Sequence, residues 1–414
     1  MAMEVKSGWK REIVASDSAV SGIDEWHRDC RILEDPDHIA KPYHLNFREF
    51  QHHNFIAFLP KSSDGLANPV VASVSVSETP SPSQSPDGSF DSIPDAADSA
   101  PGTPRQYNIL LRDSSSTKML HMPETAVPVP PFRRLFTKRP TIKSIVAAAL
   151  GPSHALGDTD LSTAAWRILP ASPTVVDQLS AYEVMLREQH RSHTVGVLLQ
   201  LPGQTTEEEM FSNQEITPEF ARFLATLGRM VDLHGWNDYA GGLNTTKCYT
   251  GEQSVFINHK GHKVMYHVAN MLPYSKSDPQ QIERKRFVGN DHVVVVFQDG
   301  KGDMPFGTST IRTNMTMAYV VIRRAKPHDS DSDSTLESSH EPEYTMDVVT
   351  MRCVPPTAPE LSESNRFILS DPRAAELVRT KLVNLSNAVW SQGVLAEKLQ
   401  KMRAVNLAKV DVRR

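Results

Sequence analysis

Residues 278–298 read Asp-Pro-Gln-Gln-Ile-Glu-Arg-Lys-Arg-Phe-Val-Gly-Asn-Asp-His-Val-Val-Val-Val-Phe-Gln, and this stretch predicts three successive elements. Asp278 is a good N-cap for a helix, because its carboxylate can accept hydrogen bonds from the free amides of the first turn, and Pro279 suits the first helical position. Gly289 is typical of a residue that ends a helix. The run from 292 to 297 is nearly all β-branched, which is typical of a strand covered on both faces. We therefore expect a short helix, a tight break and a buried strand.

The break between the predicted helix and the predicted strand is polar. It consists of Gly-Asn-Asp at 289–291, and three cations, Arg-Lys-Arg at 284–286, precede it. Cations and a carboxamide at a helix end, fixed by a buried strand, suit a site that faces an anion. A run of charges is also typical of an ordinary solvated helix face. Composition alone leaves both interpretations open.

Several other segments accompany this stretch in a fixed order along the chain. They are Thr-Glu-Glu-Glu-Met at 206–210, Asn213-Gln214, Met-Tyr-His-Val-Ala-Asn-Met-Leu-Pro-Tyr-Ser at 265–275, Pro305-Phe306, Thr-Ile-Arg at 310–312 and Ala-Tyr-Val-Val-Ile-Arg at 318–323. Together with residues 280–291 and 294–298, they resemble the catalytic core of the Rap GTPase-activating proteins, of the RapGAP and tuberin type. The resemblance covers about residues 190–405 through several motifs in register, which makes it far more specific than a single pattern match.

The resemblance implies a GTPase-activating protein for a Rap-type small GTPase in its GTP-bound form, which is an enzyme regulator and not itself an enzyme. GTP hydrolysis by small GTPases is limited by the positioning of the attacking water and by stabilisation of phosphoryl charge, so a partner can accelerate it by inserting one group in trans. Members of this family insert an asparagine thumb, whose carboxamide orients the water. The residue at that motif position is Asn290. A carboxamide suits this task because it carries a hydrogen-bond donor and an acceptor and does not titrate.

The resemblance also implies a surface that binds the GTPase beside the thumb. Arg286 and Lys285 are expected to contact the GTPase, with Arg284 more peripheral. Phe287 belongs to the same surface. The family normally has His at this position, so a polar contact with the GTPase is lost and the choice of partner is affected.

Three residues are expected to support the thumb. Asp291 and Gly289 would hold the break, Asp291 through backbone hydrogen bonds, and Glu207 would align the helix that carries Asn290. A solvated carboxylate in the first turn of a helix is the other interpretation of Glu207. No metal or cofactor is expected in this chain, because magnesium and GTP arrive with the partner.

Two alternatives to a Rap activator stay open. The first is a non-catalytic scaffold that binds active GTPase or dimerises through residues 1–190, and Phe287 is the feature that favours it. The second is an activator of a Rheb- or Ral-type GTPase, which would use the same thumb and differ only in its contact surface.

The composition restricts the class of protein. The chain has 414 residues, too many for one typical core, and its net charge of −5 gives no basic field that would attract nucleic acid. Its three cysteines lie far apart and predict neither a disulfide framework nor a zinc site. No apolar run approaches the ~20 residues of a membrane-spanning helix. We therefore expect a cytoplasmic protein with no nucleic-acid partner and no membrane segment, associated with membranes only peripherally through a lipidated GTPase.

Two domains are expected, of the α/β class. Residues 1–190 are predicted to form a smaller α+β domain with a disordered Ser- and Pro-rich insertion at about 61–105. RapGAP-like proteins can dimerise through a domain of this kind, so a homodimer stays open. Residues 191–405 are predicted to form the catalytic domain, a central mixed sheet flanked by helices as in a G domain, with a flexible acidic, Ser-rich loop at about 327–342. Apolar spacing predicts one long helix over 372–402.

Overall fold

A computed structural model gives the fold of the chain. It describes residues 5–12, 30–33, 42–59, 68–78, 105–127, 142–149, 166–301, 304–326, 341–361 and 366–410. The chain divides into a larger unit, Met1–Asp35 with Glu188–Ala396, and a smaller unit, Pro36–Arg187 with Glu397–Arg414. Each unit has its own sheet and its own buried core.

The described elements follow one another along the chain as strands and helices. The strands are β1 (Trp9–Arg11), β2 (His52–Leu59), β3 (Asn68–Glu78), β4 (Arg105–Arg112), β5 (Thr117–Pro123), β6 (Arg167–Ile168), β7 (Ser192–Gln200), β8 (Arg229–Asp232), β9 (Gln253–His259), β10 (His262–Val268), β11 (Val293–Gln298), β12 (Ala318–Arg324), β13 (Glu343–Met351) and β14 (Phe367–Ile368). The α-helices are α1 (Ile142–Ala149), α2 (Pro173–Arg191), α3 (Glu207–Phe211), α4 (Pro218–Leu227), α5 (Ile282–Val288), α6 (Pro372–Ala388) and α7 (Gly393–Ala408). Shorter helical turns are His44–Arg48, Glu124–Ala126 and Ala269–Met271.

A mixed sheet forms the centre of the larger unit. Within the described ranges its strand order is β1-β13-β12-β11-β7-β10-β9-β8, and β14 pairs with β13. The four central strands, β12, β11, β7 and β10, pair in parallel. The outer strands pair in the antiparallel direction. The predicted central mixed sheet is therefore confirmed.

Strand β11 separates two cores, one on each face of this sheet. Val293, Val295 and Phe297 belong to the core that contains residues of α4 and α6. Val294 and Val296 belong to the core that contains residues of α3 and α5. Because successive side chains of a strand point to opposite faces, an apolar run without alternation requires cover on both sides. The α/β class, with helices flanking the sheet, is confirmed.

The smaller unit contains an antiparallel sheet with the strand order β5-β4-β3-β2-β6. One of its cores includes Ile145 and Val146 of α1. Another includes Val175 and Leu179 of α2. Helices packed on an antiparallel sheet give the α+β arrangement that the sequence predicted for this part of the chain.

The predicted disordered insertion at about 61–105 is wrong for residues 68–78, which form β3. This strand lies between β2 and β4, and its side chains Val70, Val71 and Val74 are buried. Serine did not prevent burial, because the Ser73 hydroxyl donates to the Oδ1 atom of Asn54 at 2.6 Å. The rest of this prediction, residues 61–67 and 79–104, lies outside the described residues, as do residues 327–340 of the predicted acidic loop.

The single helix predicted over 372–402 is two helices. The first, α6, ends at Ala388, and the second, α7, begins at Gly393. Gly393 has a φ of +71°, a left-handed conformation that residues with a side chain rarely adopt. The apolar spacing continues through this break, so periodicity alone could not detect it.

The structure divides the chain differently from the predicted domains at both ends. Residues 1–35 fall in the larger unit, because β1 pairs with β13 and Trp9 lies opposite Met351. Residues 397–414 fall in the smaller unit, where Leu407 and Val410 are fully buried. None of the helices in the described ranges is both long enough and apolar enough to cross a membrane.

Candidate functional site

The helix that carries the candidate site, α5, begins at Ile282, so Asp278 and Pro279 are not its N-cap and first residue as predicted. The N-cap is Gln281, with a φ of +47°, a left-handed conformation that costs about 1 kcal/mol for a residue with a side chain. Its buried carboxamide offsets this cost through two hydrogen bonds to the backbone of Ser275, at 2.6 and 3.0 Å. Asp278 still serves the helix, because its carboxylate accepts from the Ile282 amide at 2.7 Å.

Gly289 ends α5, as predicted, but for a different reason. Its φ is −72°, outside the left-handed region that usually favours glycine at a helix end. The restriction is space, because a Cβ atom at this position would lie 2.5 Å from the carbonyl oxygen of Lys285. The Gly289 amide donates to the same oxygen at 2.7 Å. The missing side chain thus allows the last turn to close tightly just before Asn290.

Asn290, the predicted thumb residue, is exposed at the end of this turn. Its Nδ2 atom donates to the carbonyl oxygen of Arg286 at 2.7 Å, which orients the carboxamide. Within the described ranges, no protein group hydrogen-bonds to its Oδ1 atom. The side chain is therefore held at one atom and open to another molecule at the other.

Lys285 and Glu207 join α5 to α3. The Nζ atom of Lys285 lies 2.7 Å from Oε1 of Glu207, whose side chain is 4% exposed. The Oε2 atom of Glu207 accepts from the amide of Arg312 at 2.8 Å. Both oxygens of one buried carboxylate are therefore occupied by groups next to the break. Lys285 was predicted to contact the GTPase, and here it is half-buried against Glu207.

Arg284 lies in the interior and is not available to a partner, contrary to its predicted place at the edge of a contact surface. It is 2% exposed, and burial lowers the pKa of its guanidinium. The guanidinium donates to four backbone carbonyl oxygens at 2.6–3.3 Å, those of Phe211, Asn213, Leu272 and Pro273. It therefore ties α5 to the end of α3 and to the chain after β10.

Arg286 and Phe287 form the outer part of the site. The Arg286 side chain is 60% exposed, and its guanidinium carbon lies 5.1 Å from the centre of the Phe287 ring. Phe287 is half-buried and meets the ring of His267 edge to face, with 5.3 Å between the ring centres. Phe287 therefore contacts an exposed cation and a buried histidine.

Asp291 is buried directly after the exposed Asn290. Its Oδ2 atom lies 2.8 Å from Nδ1 of His267, and Nε2 of His267 lies 3.1 Å from the carbonyl oxygen of Gly241. The Asp291 carbonyl oxygen accepts from the Thr316 hydroxyl at 2.9 Å. Asp291 therefore anchors the break through its side chain as well as through the backbone hydrogen bonds that the sequence predicted.

A loop on the other side of the break, residues 304–316, completes the support; we refer to it as the bracing loop. The Thr313 hydroxyl donates to the carbonyl oxygen of Gly289. Thr316 holds Asp291, and Arg312 holds Glu207, through the hydrogen bonds described above. Every residue next to Asn290 is thus tied to a neighbouring segment, while Asn290 itself stays exposed.

Three of the supporting side chains, His267, Thr313 and Thr316, were not predicted. His267 lies in a strand whose other side chains are mostly buried and apolar, and a polar residue in such a strand is the signal that could have indicated its role. Thr313 carries no comparable signal, because its hydroxyl binds a backbone atom 24 positions earlier in the chain. No group of three metal-ligating side chains occurs among the residues that the structure describes.

The arrangement presents one neutral carboxamide and one nearby cation, Arg286, on a helix end that is held by hydrogen bonds and an ion pair. A carboxamide can donate to one group and accept from another, and the cation favours a nearby anion. This combination suits the orientation of a water or an anion that belongs to a docked molecule.

Comparison with known proteins shows what this part of the chain is similar to. Residues 210–404 match the family model described as Rap/ran-GAP, a range that includes α5 and Asn290. The predicted resemblance to the Rap GTPase-activating proteins is thereby confirmed. Among solved structures, the chain is similar to one titled "Structure of the TSC2 GAP domain", with a TM-score of 0.40, 23% identity, and coverage of 48% of this chain and 98% of that chain.

Several longer proteins are similar in sequence. The "GTPase-activating Rap/Ran-GAP domain-like protein 3" of Gallus gallus is 30% identical over 91% of this chain and 35% of its own length. The Homo sapiens protein of the same name is 28% identical over 90% of this chain and 31% of its own length. "Signal-induced proliferation-associated protein 1" of Homo sapiens is 35% identical over 55% of this chain and 20% of its own length. The chain thus spans about a third of the length of the first two relatives.

Proposed function

We propose, on the premise that residues 210–404 form a Rap/Ran-GAP domain, that this chain stimulates GTP hydrolysis by a Rap-type small GTPase in its GTP-bound form. Asn290 acts as an asparagine thumb that enters the nucleotide site of the GTPase. The observation that carries this proposal is the exposed carboxamide of Asn290 on a helix end whose neighbours are all anchored.

The thumb works by positioning. The carboxamide of Asn290 orients the water that attacks the γ-phosphate, a task that one donor and one acceptor on a fixed support can perform. The Arg286 guanidinium lies one helical turn before it and favours the negative charge of the partner. Because phosphoryl transfer relies on positioning and on charge stabilisation, one well-placed group can supply much of the acceleration.

The remaining predicted site residues take two roles. Arg286 and Phe287 contact the GTPase, because both are accessible on the outer side of α5. Lys285, Glu207, Gly289 and Asp291 hold Asn290 in place. Magnesium and GTP come with the GTPase, and the chain acts in the cytoplasm, at membranes only through the lipid anchor of its partner.

The test is single-turnover GTP hydrolysis by a panel of purified Rap-, Rheb- and Ral-type GTPases, each with and without the full chain. We expect the largest acceleration with a Rap-type GTPase. Acceleration of a Rheb- or Ral-type GTPase alone would be consistent with the role of Asn290 but would assign a different partner. No acceleration of any of them would refute the proposal.

Phe287 favours a second candidate function, a scaffold that captures the GTP-bound GTPase without accelerating hydrolysis. Its ring packs on His267 and under Arg286, so an apolar surface stands where the family has a polar side chain. Binding that depends on GTP, together with an unchanged hydrolysis rate, would select this function.

Homodimerisation through the smaller unit stays a prediction, and the sedimentation of the full chain would test it.

A further inference from the structure

The N-terminal segment of residues 5–12 is anchored firmly at its C-terminal end. The Oε1 atom of Glu12 accepts from the buried Nζ atom of Lys381 at 3.0 Å and from the amide of Thr357 at 2.6 Å. The middle of the segment is β1, which pairs with β13 at the edge of the large sheet. The segment is therefore tied both to α6 and to the sheet.

The other end of this segment contacts the bracing loop. The amide of Lys6 donates to Oγ1 of Thr308 at 2.9 Å, and Thr308 is 5% exposed. The ring of Trp9 stacks on Tyr319 with 5.4 Å between centres, and Tyr319 in turn meets Phe306 edge to face at 5.6 Å. One hydrogen bond and one chain of aromatic contacts thus fix the start of the bracing loop.

The end of the same loop reaches the proposed thumb. Arg312 binds Glu207, which holds α5 through its ion pair, and Thr313 binds the carbonyl oxygen of Gly289. Asn290 is the next residue. The path from β1 to Asn290 therefore lies within one unit. It runs from the N-terminal segment to the start of the bracing loop, and from the end of that loop to Gly289.

We propose that residues 5–12 act as an N-terminal brace that positions Asn290 through the bracing loop, with Trp9 and Thr308 as positioning residues. The brace lies outside the range of the family match, which begins at residue 210. Misplacement of a reacting group by about 1 Å can cost about 100-fold in rate, so a modest loosening of the loop has a measurable effect. The effect on catalysis rests on the proposed function, whereas the structural coupling between residues 5–12 and Asn290 does not.

The first test uses paired variants of the full chain. Thr308→Val keeps the shape of the side chain and removes the acceptor, whereas Thr308→Ser keeps the acceptor. Trp9→Ala removes the stacked ring, whereas Trp9→Phe keeps a ring. We expect Thr308→Val and Trp9→Ala to lower the single-turnover rate at saturating chain by about tenfold, as for a slightly misplaced reacting group, and Thr308→Ser and Trp9→Phe to restore most of it. The Kd for the GTP-bound GTPase should change less than twofold, which separates positioning from loss of the interface.

The second test is amide hydrogen exchange in the free chain, which needs no GTPase. Thr308→Val should speed exchange at residues 306–316 and at 289–291, while Thr308→Ser should match the wild type. Unchanged exchange at 289–291 would overturn the brace whether or not the chain activates a GTPase. If the wild type stimulates hydrolysis, faster exchange in Thr308→Val together with an unchanged hydrolysis rate would overturn the role of the brace in positioning. A wild type that activates no GTPase would refute the proposed function alone.

Discussion

Arg284 and Arg286 lie two positions apart on α5, yet the first is 2% exposed with its guanidinium on four backbone carbonyls, while the side chain of the second is 60% exposed. Two arginines on one short helix therefore have different roles. Arg284 holds the helix to the domain, and Arg286 faces any molecule that docks there.

Substitution of these two arginines by methionine should give opposite results. Arg284→Met leaves four carbonyls without their donor and should lower the free energy of unfolding by about 3 kcal/mol or more. Arg286→Met should leave the free energy of unfolding within about 0.5 kcal/mol of the wild type, and it should weaken binding of the GTP-bound GTPase. Urea denaturation and a binding titration measure the two effects. Equal loss of stability in both variants would contradict this assignment.

The ion pair between Lys285 and Glu207 should contribute more than a surface pair, because the carboxylate is buried. Lys285→Ala should lower the free energy of unfolding by about 2 kcal/mol, since it removes the nearer of the two cations beside a buried carboxylate and leaves only Arg312, at 3.9 Å. Glu207→Gln keeps an acceptor for the Arg312 amide and should cost less. A double-mutant cycle with both substitutions measures the coupling, and additive effects would show that the pair does not stabilise the helix.

Asn290→Ala should abolish stimulation and leave the fold intact. It removes the proposed thumb, so we expect the single-turnover rate to fall by about 100-fold or more. Stability should change by no more than about 1 kcal/mol, because only the exposed hydrogen bond to Arg286 is lost. Gln280→Ala is the matched control, an exposed carboxamide in the same stretch, and it should keep the wild-type rate. Full stimulation by Asn290→Ala would refute the thumb assignment.

The stability of the larger unit should fall in mild acid because of a buried histidine. Burial, followed by the charges of His262 and His190, lowers the pKa of His193 to about 3. The unfolded chain binds this proton below about pH 6.5 and the folded chain only near pH 3, so stability present above pH 6.5 is lost as the pH falls through that window. The expected loss between pH 7 and pH 5 is about 2 kcal/mol for this residue.

His193→Asn tests this source of pH dependence. The slope of unfolding free energy against pH between 6.5 and 4 reports the number of protons taken up on unfolding. In His193→Asn this number should be smaller by about one than in the wild type. His234→Asn is the control, because it makes the same substitution at an exposed histidine. Identical slopes in all three proteins would mean that His193 takes up its proton equally in the folded and unfolded chains.

The sheet and its two covered faces could be predicted because they depend on local pattern. The uninterrupted apolar run of β11 requires helices on both sides, and the structure has them. The position of Asn290 at the end of a short helix also follows from adjacent residues, Gly289 above all. These features need no knowledge of distant contacts.

The start of α5 and the burial of Arg284 could not be predicted in the same way. Gln281 adopts a left-handed conformation because its side chain binds the backbone of Ser275, a contact that propensity does not contain. A run of cations is usually solvated, but the carbonyls that surround Arg284 come from segments about 11 to 73 residues away. Strand β3 was missed because a serine-rich composition outweighed the alternating valines within it.

Asn290 precedes β11, so it stands at the amino end of the parallel strands, whereas enzymes with such sheets usually bind small molecules in a crevice at the carboxyl ends. A domain that acts as proposed, by projecting a group into another protein, has no need of that crevice. A drug aimed at the proposed activity would have to block the exposed surface of α5, so a peptide or an antibody fragment that covers this helix is a better starting point than a compound designed to fill a pocket.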